Sequence, residues 1–271
     1  MKKCILITLL VIMLSNTYCI ELQRDYFKQV EFIKNLGSNF TTTTIGKVKY
    51  NEITYPVYKI TFNPNGKKKY LILCGVHGNE PAPIFAIGEY IQALNRKTID
   101  INTPCIDFVY IVNPWGFSYN QRYNAVGIDI NRDMTTEIAQ ESKILRNSVS
   151  MKIYDRVFDF HEGNTKGYYL YYYSTKQKKI VDELLMLYEK YNLPLEDEYK
   201  DVVLKAKKGV IYVPWYAKAY MKYKNTITTA LWSYNEGVNS SFTIETSKNR
   251  DIEERKKIIK NILDYIMVMD S

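Results

Sequence analysis

The chain of 271 residues holds only two histidines. His77 ends the apolar run LILCGV (71–76) and has Glu80 three residues on; His161 ends the run VFDF (157–160). A catalytic zinc ion commonly takes three protein ligands through nitrogen or oxygen and keeps a fourth position for water, and two histidines with one glutamate are a well-attested set. H-x-x-E in a tight loop after a strand lets two side chains face one point, and a distant histidine at another strand end completes the triad. A lone histidine after a strand is more often structural than a ligand. Here both histidines of the chain stand in such positions, one with the spaced glutamate, so His77, Glu80 and His161 are the candidate ligands of one Zn²⁺ per chain.

The elements around them read as α/β. KVKYNEITYPVYKITF (47–62) alternates apolar and polar residues like a half-buried antiparallel strand pair. KYLILCGV (69–76), CIDFVYIVNPWG (105–116) and RVFDFHEG (156–163) are apolar runs of strand length, the pattern of strands covered on both faces. SSFTIETS (240–247) is a last, mixed strand. PAPIFAIGEYIQAL follows His77 at helical spacing, with Pro81 or Pro83 suited to a first turn, and 178–192 and 251–269 are amphipathic helices whose stripes are core. Strands alternating with helices, with no linker rich in Gly, Pro or Ser, predict a single α/β domain: a mixed, mostly parallel central sheet flanked by helices. Ligands of such sheets bind at the carboxyl ends of strands, where His77, Glu80, His161 and Glu245 all fall.

The start, MKKCILITLLVIMLSNTYC, has two lysines, an apolar stretch from about Cys4 to Leu14, and then small polar residues. That is the build of a secretory signal over 1–19, with cleavage after Thr17 or Cys19, which leaves 20–271 as the catalytic domain and predicts an exported protein, periplasmic or secreted. The apolar stretch is too short for a transmembrane helix, and no stable membrane insertion is expected after cleavage. Loss of Lys2 and Lys3 takes the formal charge from +8 to +6. KKK at 67–69 and KAKK at 205–208 could attract an anionic polymer, though such runs are usually solvated turns. Nothing resembles a nucleic-acid module. Cys74 and Cys105 are far apart and lack a CxxC neighbour, so they are no zinc site; a disulfide is permitted on export, and buried free thiols are the simpler state.

Five motifs in order, HGNE (77–80), NPWGF (113–117) followed by Arg122, GIDINRD (127–133), DFHEG (159–163) and FTIET (242–246), resemble the zinc carboxypeptidase family related to carboxypeptidase A, over roughly residues 69–247. The resemblance implies that His77, Glu80 and His161 bind zinc and that Asp129 hydrogen-bonds a zinc-bound histidine, His77. It implies that Asn131 and Arg132 hold the substrate's terminal carboxylate, that Arg122 stabilises the oxyanion, and that Glu245 is the general base. The implied substrate is a peptide or small amide with a free carboxylate.

These roles suit the chemistry. Zinc lowers the pKa of bound water enough to form a nucleophile near neutral pH and polarises the carbonyl. A carboxylate in a strand-end pocket can take the water's proton and pass it to the leaving amine. Losing one oxyanion donor typically costs roughly 3–4 kcal/mol. The planar fork of Arg132 can bind a carboxylate bidentately, which lysine cannot.

Other readings stand beside this one. A second branch of the superfamily, similar to succinylglutamate desuccinylase and aspartoacylase, shares HGNE, an NR pair and a base glutamate but cleaves N-acyl amino acids; NPWGF and IDINRD look closer to the peptidase side. The chain is shorter than digestive carboxypeptidases and resembles compact bacterial relatives that trim cell-wall peptides. A non-catalytic zinc or glycan-binding module is a third reading, against which Glu245 argues. NRD could be only a turn, and Glu245 a surface residue on an edge strand. Family members carry a tyrosine over the substrate, for which Tyr212, Tyr216 and Tyr234 are candidates. GYYLYYYS (167–174) is most simply a strand packed on both faces, or else an aromatic wall beside the zinc.

Overall fold

In the computed structural model, which describes residues 24–99, 102–201 and 204–270, the apolar runs form the centre of one eight-stranded sheet. The signal segment expected at 1–19 lies outside the described residues. The strands are β1 (Phe40–Tyr50), β2 (Ile53–Phe62), β3 (Lys69–Cys74), β4 (Cys105–Tyr110), β5 (Arg156–Gly163) and β6 (Tyr169–Tyr172), then β9 (Val210–Tyr212) and β10 (Ser240–Ser247). β7 (Lys200–Asp201) and β8 (Leu204–Lys205) make a separate small hairpin. The order across the sheet is β1-β2-β4-β3-β5-β10-β6-β9. β4, β3, β5 and β10 run parallel at its centre, and β4 buries every residue, as a strand covered on both faces must. β1 and β2 are the expected antiparallel pair, turned at Asn51 in the left-handed conformation (φ 52°) that asparagine tolerates.

The helices among the described residues are α1 (Tyr26–Gln29), α2 (Pro81–Leu94), α3 (Pro114–Ser118), α4 (Gln140–Ser148), α5 (Lys178–Lys190), α6 (Trp215–Tyr223), α7 (Thr229–Asn235) and α8 (Ile252–Val268). α8 packs on both α2 and α5, while α7 packs on β5 and β10. The two-residue period of β5 shows which face each layer covers. Glu162 meets Ala82 of α2 and Arg255 of α8, whereas Asp159 meets Thr229 of α7. The chain is thus one α/β domain with helices on both faces of a mixed sheet.

Register sets the site. Cys74 of β3 lies opposite Phe160, and Phe160 opposite Ile244, so His161 stands directly beside Glu245 at the carboxyl ends of three adjacent parallel strands. β10 is an interior strand between β5 and β6, which removes the edge-strand reading of Glu245. Cys74 and Cys105 are buried free thiols. No helix among the described residues is long and apolar enough to cross a membrane.

Candidate active site

The loop after β3 is shaped by close backbone approach. Gly75 takes a positive φ of 69°, and a Cβ on Gly78 would stand 1.9 Å from the carbonyl carbon of Gly116. The HGNE loop therefore lies directly on the NPWG turn, which gives both motifs a physical reason. Pro81 opens α2, as expected of one of the two prolines, and Glu80 is its N-cap.

Three side chains converge there, each no more than 3% exposed. His77 Nδ1 is 2.8 Å from Glu80 Oε1, His161 Nδ1 is 2.9 Å from Glu80 Oε2, and the two imidazole nitrogens are 3.2 Å apart. Each residue offers one ligand atom, and these atoms all lie within 4.8 Å of one another. Both imidazoles turn Nδ1 to the common point and Nε2 to a carboxylate: Asp129 Oδ1 at 3.1 Å from His77, Asp159 Oδ2 at 3.0 Å from His161. The Asp159 contact is a charge approach rather than an aligned hydrogen bond, because His161 Nε2 has no bonded partner while Asp159 Oδ2 accepts from the Thr229 hydroxyl. Carboxylates behind metal-binding imidazoles fix tautomer and ring orientation, so the triad fits a metal ion.

The charges here are strongly coupled. Burial pushes the Glu80 carboxyl up, but the charges and hydrogen bonds of His77 and His161 outweigh it and hold the group well below the ordinary glutamate range. Burial lowers the His161 imidazole, yet Asp159 and Glu80 hold it well above the usual histidine value. Asp129 follows Glu80: burial raises it, while His77, Arg122 and Arg132 bring it far down.

Asp129 organises the neighbouring arginine. Its Oδ2 accepts from Arg122 Nε at 3.1 Å and Nη2 at 2.9 Å, while Oδ1 also accepts the backbone N–H of Asn131 at 3.0 Å. Held this way, Arg122 points Nη1 at the centre, 3.4 Å from His77 Nδ1 and 3.9 Å from Glu80 Oε1. The NRD segment is indeed a short turn, a 3₁₀ helix over Ile130–Arg132 capped by Asp129, and it also delivers two residues to the cavity. Asn131 Oδ1 accepts the backbone N–H of Thr229 at 2.9 Å, while the Thr229 hydroxyl donates to Asp159. A backbone N–H can only donate, so the oxygen must face it and the amide N–H₂ is left for the cavity.

The cavity has a volume of about 360 Å³ and is lined by His77, Glu80, Arg122, Asn131, Arg132 and Glu245 together; of the predicted site residues His161 and Asp129 do not line it, and they touch its lining residues Glu80, His77 and Arg122. Burial pushes the Glu245 carboxyl up to about 8; Glu80 and Asp159 add to this, and His161 and Arg122 oppose it. Of the tyrosine candidates, Tyr212, Tyr216 and Tyr234 do not line the cavity, while Tyr169, Tyr171, Tyr173 and Tyr199 do. GYYLYYYS satisfies both of its readings, one on each face. Tyr169 and Tyr171 wall the cavity, and Tyr168 stacks on Tyr188 of α5 at 5.7 Å on the other side.

Three residues escaped the sequence reading. Asp159, two before His161, shares its strand face, and that period was a readable signal. Thr229 starts α7, far away in sequence, and nothing there pointed to Asn131. Lys248, three residues beyond Glu245, lines the cavity with Nζ 3.8 Å from Glu80 Oε1, but it lies past the strand, where no periodicity applies.

Among solved structures this chain resembles a candidate metallopeptidase from Shewanella baltica, at 17% identity and TM-score 0.75, covering 92% of this chain and 94% of that one. A metallo-carboxypeptidase from Pseudomonas aeruginosa, solved in complex with (2-guanidinoethylmercapto)succinic acid, aligns at 14% identity and TM-score 0.64 over 89% and 67% of the two chains. A succinylglutamate desuccinylase/aspartoacylase from Rhodobacter sphaeroides aligns at 17% identity and TM-score 0.56 over 84% and 64%. At these identities the likeness is one of fold. No curated protein matches the sequence. Residues 66–266 match the model of the succinylglutamate desuccinylase/aspartoacylase catalytic domain, the branch that the motifs left as the alternative to the peptidases. Spanning both the triad and Glu245, that match shows that the chain belongs to the succinylglutamate desuccinylase/aspartoacylase catalytic-domain family.

Proposed function

We propose that this protein is a zinc-dependent hydrolase that cleaves the amide bond before a residue with a free carboxylate, acting as a metallocarboxypeptidase. The observation that carries this reading is the convergence of His77 Nδ1, Glu80 and His161 Nδ1 on one point, in a cavity that also holds Glu245, Asn131 and Arg132. Zinc bound by the triad supplies Lewis acidity toward the scissile carbonyl and acidifies water.

The chain's own residues do the rest. Asn131 N–H₂ and the Arg132 guanidinium bind the substrate carboxylate and thereby fix which bond lies beside the triad. Arg122, held by Asp129, offers Nη1 to the carbonyl oxygen as negative charge grows on it. Glu245 takes the proton from water and hands it to the leaving nitrogen. The tyrosine wall keeps bulk water from the far side.

Room in the site favours a peptide. A second cavity of about 380 Å³ shares Arg132, Asp201, Leu204 and Met221 with the first, giving space beyond that needed by a small N-acyl amino acid. The family match supports the second reading, an N-acyl amino acid deacylase. Metal analysis of the purified chain, with hydrolysis of C-terminally free peptides, cell-wall peptides and N-acyl amino acids with and without chelator, separates them. About one zinc per chain and chelator-sensitive release of a C-terminal residue is the expected result. Activity on N-acyl amino acids alone would move the protein to the second reading, and absence of bound metal would overturn both. The basic start followed by the apolar stretch Cys4–Leu14 supports export, testable by cell fractionation.

A further inference from the structure

The face of α6 that looks outward is the wrong way round for a solvated helix. Tyr216, Tyr220 and Tyr223, at i, i+4 and i+7, are 53%, 48% and 80% exposed, and Trp215 beside them is 76% exposed. A large exposed aromatic patch on a folded protein marks an interaction site. Residues 204–235, which carry this helix, hold six lysines and no Asp or Glu. Lys205, Lys207, Lys208, Lys222 and Lys224 are exposed, and Lys224 sits over the rings of Tyr220 and Tyr223. At the near end of the KAKK run, Leu204 shares a cavity wall with Ala217, Tyr220 and Lys224, while at its far end Lys208 lies beside Asp197.

We propose that this surface docks an acidic polysaccharide, a chain of sugar rings carrying carboxylates. Three observations select that partner. Among the described residues its exposed large hydrophobic side chains are all Tyr or Trp, whose rings can stack on the C–H faces of sugars while their O–H and N–H groups meet hydroxyls. Lys222 and Lys224 stand among the rings on a helix without an acidic residue, so this face complements an anion, and pairing it with a second copy would set those lysines against their own counterparts. It also adjoins the site, because Ala217, Tyr220, Met221 and Lys224 wall the second cavity, which shares Arg132, Asp201, Leu204 and Met221 with the first. A glycan held on α6 would bring the groups attached to it to the cavity mouth.

The test titrates the full chain with an oligogalacturonate, a neutral maltooligosaccharide of equal length, and phosphatidylglycerol vesicles. Isothermal titration calorimetry serves as the readout for the wild type and for every variant. The oligogalacturonate should bind and the neutral sugar should not, with affinity falling as salt rises. Trp215→Ala and Tyr223→Ala should each weaken it roughly five- to tenfold. Lys222→Gln should weaken it and flatten the salt dependence. Hydrolysis of small substrates should stay unchanged in all three, which keeps this inference separate from the catalytic one. Vesicle binding without oligogalacturonate binding, equal binding of the neutral sugar, or unchanged affinity in both aromatic variants would each overturn the proposal.

Discussion

Glu80 and His161 hold each other's charge in place in the metal-free protein, and this makes the site sensitive to pH in two opposed ways. His161 has a folded pKa above its ordinary 6.5, so its contribution to stability is complete below that value and is lost as pH rises through the folded pKa. Glu245 acts in the same direction, because its carboxyl at about 8 stands above the ordinary 4.5 and favours the ionised unfolded state between the two. Glu80 is depressed, so its contribution is lost only as pH falls through its low folded value. Chelator-treated protein should therefore melt at a lower temperature at pH 8 than at pH 6. A metal ion must displace the His161 proton, so the rise in melting temperature on adding zinc should grow over the same interval; a constant rise would mean that no proton is exchanged. Glu245→Gln should keep the metal and lose turnover by roughly 10²–10⁴-fold. Asp159→Asn should weaken zinc roughly 10–100-fold in a competition assay. The first pair of residues was legible in the sequence and Asp159 was overlooked, although it lies on the same strand face.

Single elements carry the site's precision. α2 begins on a metal-ligand candidate, and Glu162, the residue after His161, accepts the backbone N–H of Ala82 at 2.8 Å while its own N–H donates to Glu80 Oε2 at 3.1 Å. Arg255 of α8 pairs with the other oxygen of Glu162. Removing one partner of a buried pair leaves an uncompensated charge, so Arg255→Leu should destabilise the fold by about 3–5 kcal/mol in urea titration. Gly78→Ala would drive a methyl into the Gly116 backbone and move the HGNE loop; zinc affinity should fall more than that of Asp159→Asn, because two ligands shift at once. The strands and long helices were legible because apolar runs and periods reflect burial directly. Asn131's support by Thr229 was not, since a helix that arrives 98 residues later leaves no local trace in NRD. The cavity's tyrosines were legible only as alternatives: a strand's period says which residues share a face, not which face is open.

Across the whole molecule, the order of strands also determines what the protein does at high concentration. A sheet ends in two edges, and unpaired backbone at an edge is a template for another chain. Here one edge is β9, only three residues long. The other is β1, where Thr41, Thr42, Thr43 and Thr44 are exposed and the ladder slips between Thr44 and Gly46. A hydroxyl-lined, broken edge and a stub offer a neighbour little to extend. Replacing Thr42 and Thr44 with valine should leave the melting temperature nearly unchanged yet shorten the lag before turbidity on warming. The β1 rim lies four strands from β5 and five from β10, which carry His161 and Glu245, so edge-to-edge association can be altered there without touching the catalytic centre.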